Sequence, residues 1–125
     1  PLYREALAGE RERLGDSHPH TLGSMNNLAM LLKDQGNLEE AKRLLREAAA
    51  GMREQLGDLH PNTLGLMSNI AGVLKAQGKL EEAEPQYREA LAGLRERLGD
   101  LHLRTLTVVG NLAQVLRDQG KLEEA

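Results

Sequence analysis

The 125-residue sequence has no cysteine, tryptophan or phenylalanine, and its only aromatic residues are Tyr3 and Tyr87. Without cysteine there are no disulfides, thiolate nucleophiles or sulfur-ligated zinc sites, which fits a cytoplasmic chain. Without aromatic platforms, nucleobases have nothing to stack on. An excess of one charge is also missing. Sixteen Lys plus Arg stand against 19 Asp plus Glu, a net charge of -3, and the signs are interleaved, so no field forms that would grip phosphates. No apolar run approaches the ~20 residues of a membrane span, and the N-terminal residues lack the layout of a signal peptide. Nucleic acid, membrane and cofactor are therefore not expected among its ligands.

What is present is a repeat. Shifted by 42 residues the sequence superposes on itself, aligning Gly15, Gly57 and Gly99, then His18, His60 and His102, then Thr21, Thr63 and Thr105. Asn27, Asn69 and Asn111 follow, and after them Gly36, Gly78 and Gly120. A fixed period of this kind marks a stacked array in which each unit buries its apolar face against its neighbours. The units read as a partial helix over 1–14, repeats over 19–56 and 61–98, and a partial repeat over 103–125.

Each unit carries helical spacing twice. Helix A shows it at Leu22, Met25, Leu28, Ala29 and Leu32, matched by Leu64, Met67, Ile70, Ala71 and Leu74 and by Leu106, Val109, Leu112, Ala113 and Leu116. Helix B follows through Leu38, Ala41, Leu45, Ala48, Met52 and Leu56 and again from Leu80 to Leu98. Gly36, Gly78 and Gly120 suit the positive φ that ends a helix, and Asn37 with Glu40 reads as a capping box. Pro19 and Pro61 suit the first turn of helix A, whereas Leu103 leaves the third start less sharply set. Pro85, inside a helix B, is expected to bend it or delay its regular part.

The stretches "HPHTLGSMNNLAMLLKDQGNLEEAKRLLREA" and "HPNTLGLMSNIAGVLKAQGKLEEAEPQYREAL" resemble tetratricopeptide repeats of the 42-residue type, as in kinesin light chains and nephrocystin-like proteins. The resemblance covers essentially the whole chain, with small residues at Ala29, Ala41 and Ala48 and Gly36 at the turn. It implies an all-α fold, a right-handed α-solenoid of antiparallel helix pairs, acting as a non-catalytic scaffold. In that family helix A lines the inside of the superhelix.

The repeated Asp-x-His of "LGDLHPNTL" invites a chemical reading. Stacked equivalents lie at least ~8–10 Å apart, so His18, His60 and His102 cannot share a metal whose ligands must each reach to about 2 Å. A base also needs one unique nucleophile and an orienting group, and no such constellation stands out. The stretch reads as the joint between helices, with Asp or His bonded to loop backbone and a helix N-terminus. No metal site and no catalytic residue is expected.

On the helical wheel the face opposite the core carries Gly23, Asn26, Met30 and Lys33, then Gly65, Ser68, Gly72 and Lys75, then Thr107, Gly110, Gln114 and Arg117. Asn27, Asn69 and Asn111 lie at its margin, placed either to tie repeat to repeat or to clamp the main chain of an extended peptide. Lys33, Lys75 and Arg117 give one cation per repeat, suited to an acidic peptide. The chain opens with "PLYREALAGERERLG", matching Pro85 to Gly99, and stops at "KLEEA", where another helix B starts. Either the array continues, or molecules associate head to tail through these uncapped ends.

Overall fold

A computed structural model describes residues 2–16 and 18–121. It contains α1 (Leu2–Leu14), α2 (Pro19–Asp34), α3 (Leu38–Leu56), α4 (Pro61–Ala76), α5 (Leu80–Leu98) and α6 (Leu103–Asp118), with no strand among the described residues. Each helix packs chiefly on its neighbours in sequence, which is how a solenoid is built. Helix A corresponds to α2, α4 and α6, and helix B to α3 and α5, with α1 its partial copy. The expected start of a further helix B at 122–125 lies outside the described residues.

The joints explain the boundaries. At the end of α2, Gly36 takes φ +83 and the Asn37 N–H donates to the Leu32 carbonyl at 2.8 Å, so two helix-ending features close the helix together. The same bond recurs from Lys79 to Leu74 and from Lys121 to Leu116. This corrects the capping box expected at Asn37. Its N–H is already committed to Leu32, its side chain makes no cap bond, and its amide donates to Glu40 Oε2 at 3.4 Å instead. Glu40 is in turn held by Arg4, through bonds of 2.6 and 3.1 Å.

Helix A is capped by histidine. His18, His60 and His102 each hold an extended backbone, and each Nδ1 accepts from the N–H two residues on, at 3.1 Å in all three joints. The cap is therefore the imidazole and not the proline, and α6 starts at Leu103 as sharply as α2 and α4 start at Pro19 and Pro61. Asp16, Asp58 and Asp100 pair with Arg11, Arg53 and Arg95 at 3.4–3.6 Å across each joint. Exposed pairs of this kind add little stability. Pro85 causes neither a late start nor a break, since α5 runs from Leu80 to Leu98, as long as α3.

The core follows the predicted spacing through two repeats and departs in the third. Leu22 and Leu64 are each 1% exposed, but Leu106 is 46% exposed and Val109 only partly buried. The reason lies in α3 and α5. A Cβ placed on Gly51 would stand 2.8 Å from a Leu22 methyl, and one on Gly93 2.7 Å from a Leu64 methyl, so these leucines fill the space the glycines leave. No described helix covers Leu106 in that way. Leu56, expected in the apolar stripe of helix B, is 40% exposed beside the joint.

Between repeats, Lys42 is nearly fully buried and donates to Gln77 Oε1 at 3.1 Å, while Gln77 Nε2 donates to Glu39 at 2.7 Å. One period on, Glu84 replaces Lys42 and accepts from Lys121 and Arg88, and Gln119 Oε1 is left buried without a donor. Burial of Thr63 is complete, yet its Oγ1 has no partner, and the same holds for Thr105. A buried hydroxyl without a partner carries an uncompensated desolvation cost. Thr63→Val should therefore stabilise the fold by about 1 kcal/mol and raise the melting temperature by roughly 3–5 °C; a lower melting temperature would show that the hydroxyl is bonded in solution.

Candidate peptide-binding face

Three A helices lie side by side, and their N-terminal halves enclose a trough of about 590 Å³. Its apolar lining comes from Pro19, Leu22, Met52, Leu66, Leu94, Leu103 and Val108, and its polar lining from Asn26, Asn62, Ser68, Asn69, Arg104 and Thr107. Gly23 and Gly65 keep it open, because a Cβ at either would meet nothing within 4 Å. A second hollow of about 470 Å³, lined by Glu10, Pro19, His20, Gly23, Ser24 and Asn27, shares Pro19 and Gly23 with the first. The two adjoin at Pro19 and Gly23 on the helix-A face.

Asn69 Nδ2 donates to Asn26 Oδ1 at 2.9 Å, joining α4 to α2 within the trough. This bond links repeats through side chains, and it leaves an amide donor on Asn26 and a carbonyl acceptor on Asn69 unspent. Those are the complements of a peptide main chain. Ser68 sits beside them but is buried rather than presented at the surface.

The asparagine row does not continue evenly. Asn27 is exposed and lines the second hollow, while Asn111 is half-buried and lines neither. Met30 is half-buried on α2, also outside the trough.

The cations form a second stripe on the C-terminal halves of the same helices. Positions 33, 75 and 117 are ten residues past 23, 65 and 107, which on a helix places them roughly 15 Å away. Lys75 donates to Gln114, and burial, then the Lys33 and Arg117 charges, hold its ammonium below the usual lysine range against the opposing pull of Asp118. Lys33 Nζ and the Tyr87 hydroxyl both border the space above Gly72, at 3.6 and 3.5 Å from where a Cβ would stand. Burial pushes the Tyr87 hydroxyl up to about 12, so it stays protonated as a donor at neutral pH.

Sequence reasoning placed Asn26, Ser68 and Asn69 on this face but missed Asn62, Arg104, Leu66 and Val108. Their signal was departure from the period. Position 20 reads His, Asn and Arg through the repeats, and position 24 reads Ser, Leu and Val, where joint and core positions stay constant or nearly so. Among the described residues no group of three His, Asp or Glu could hold a metal ion, and no helix is long and apolar enough to cross a membrane.

The sequence matches the tetratricopeptide repeat family over residues 1–54, 20–96 and 62–125. The chain belongs to the tetratricopeptide repeat family. Repeats of this family generally serve as protein-interaction scaffolds. Among solved structures, a kinesin light chain-like protein of nearly identical TPR-like repeats from Podosopora anserina is 26% identical with a TM-score of 0.87, over 98% of this chain and 58% of that one. BtubC (BKLC) from P. vanneervenii is 27% identical with a TM-score of 0.80, over 94% of this chain and 46% of that one. This chain thus spans about half the length of the structures it matches. No curated protein sequence matches it.

The histidine caps belong to the tetratricopeptide frame and not to the trough, since none of His18, His60 and His102 lines it. His60→Ala should cost about 1 kcal/mol of stability, the usual worth of a helix cap, in thermal or urea unfolding. It should leave capture of any partner by the folded protein unchanged; lost binding without lost stability would assign His60 to the interface.

Proposed function

We propose that this tetratricopeptide array captures an extended segment of a partner protein along the helix-A trough. The observation that carries the reading is the Asn69–Asn26 bond within the trough lining, which leaves one amide donor and one acceptor for a bound main chain. An extended main chain offers a carbonyl and an N–H to such a pair, and its side chains enter between Leu66, Leu94 and Val108. Asn26 and Asn69 are the contact residues of the trough, with Ser68 buried beside them as their support, and Asn27 extends them into the second hollow. Met30, Lys33, Lys75, Asn111, Gln114 and Arg117 form the outer flank.

The partner is acidic on that flank. None of Lys33, Lys75 and Arg117 forms an ion pair within 4 Å among the described residues, and two of them repel Lys75. Carboxylates on the bound segment would relieve this, giving salt-sensitive preference more than raw affinity.

End-to-end self-association is the second reading, favoured by the exposure of Leu106, whose counterparts lie under α3 and α5. Another copy supplying a helix B would cover it, and sedimentation across a concentration range decides, a monomer throughout removing it.

Fluorescence anisotropy with labelled acidic and basic peptides of equal apolar content tests the principal reading. The acidic peptide should bind more tightly, lose affinity with added salt, and bind at least about tenfold more weakly to the Asn26→Ala, Asn69→Ala double variant. Equal binding of both peptides, or none, would remove the acidic groove.

A further inference from the structure

The two adjoining hollows carry opposite charges at their far sides. At the α1 end, Glu10 stands where the other repeats have Met52 and Leu94, and Ser24 stands where they have Leu66 and Val108. Serine and glutamate replace an apolar pair together, and Ser24 Oγ donates to Glu10 Oε2. At the α6 end, Arg104 occupies the position of His20 and Asn62, and its Nη1 donates to Asn62 Oδ1 at 3.2 Å. Both charges are thus steadied by neutral groups. Neither Glu10 nor Arg104 has a counter-ion within 4 Å among the described residues.

Among the described residues Arg104 is the only charged side chain lining the first hollow and Glu10 the only carboxylate lining the second. Between them the lining is Met52, Leu66, Leu94 and Val108 with the Asn26–Asn69 pair. Positions 10, 52 and 94, positions 24, 66 and 108, and positions 20, 62 and 104 change chemistry from repeat to repeat, whereas Gly57, His60, Thr63 and their equivalents do not change. A graded order from acid through apolar to base along the lining is what a surface needs to read a segment in one register.

We infer that the partner segment is bipolar: a basic residue lies against Glu10, apolar residues fill the middle, and an acidic residue lies against Arg104. The inference rests on the trough being the capture site. Two helix spacings of about 10 Å separate the ends. An extended chain rising ~3.3 Å per residue covers that distance in roughly six residues. The cation stripe sets the acidity of the outer flank; Glu10 and Arg104 set the order of charges along the segment.

Selection of a random peptide library displayed on phage against the 125-residue chain, at pH 8 and low salt, tests this. The wild-type chain should enrich peptides with one basic and one acidic residue about five or six positions apart around apolar residues. E10K should shift the selection to acidic residues at both flanks, and R104E to basic residues at both. A peptide selected on the wild type should bind each variant about fivefold to tenfold more weakly, with unchanged helical circular dichroism. E10Q and R104Q, which remove charge at nearly constant shape, should lose preference at one flank only and stand in for a reversal variant that fails to fold. Flanking charges that stay the same across all proteins would overturn the inference while leaving the trough intact. No enrichment on the wild type would overturn the capture site itself.

Discussion

The close approach of helix A to helix B is the constraint from which the other features follow. Leu22 and Leu64 occupy space that exists only because Gly51 and Gly93 have no side chain. A helix pair joined in this way has one apolar face filled and another still open, so the next pair must cover it, and the array grows by repetition. Glycine in a helix interior costs up to about 1 kcal/mol against alanine. Here the cost is offset by complete burial of a leucine, a gain of about 1.5–3 kcal/mol.

With the pairs locked, each A helix presents the same stripe to the same side. The joints keep that register: glycine at positive φ ends one helix and a histidine imidazole opens the next, three times over. Because the frame is carried mainly by joints and core, several residues around the open side of helix A can differ from repeat to repeat. That freedom lets Gly65 leave space, and Arg104 and Glu10 stand in two adjoining hollows.

Much of the frame was legible in the sequence, because period, helical spacing and turn glycines are local or repeated signals. Helix bounds, the proline starts, the core of the first two repeats and the structural role of the Asp-x-His stretch all follow from them. What was not legible depends on competition between partners. Asn37 fails as a cap because its N–H is already given to Leu32, which no spacing rule registers. Leu106 looks like Leu22 in the pattern, yet no described helix packs over it as α3 packs over Leu22, and it stays exposed.

The candidate site was half legible for a related reason. A helical wheel finds which side of helix A is free, and so it found Asn26, Ser68 and Asn69. It cannot show that Met52 and Leu94 reach in from helix B, or that the lining lies on the N-terminal halves and the cations on the C-terminal halves. The most direct measurement is a crystal structure of the chain with a bound partner segment. The segment should run extended across α2, α4 and α6 with its main chain on Asn26 and Asn69; a segment seated on the outer surface of α3 and α5, with the trough empty, would contradict it.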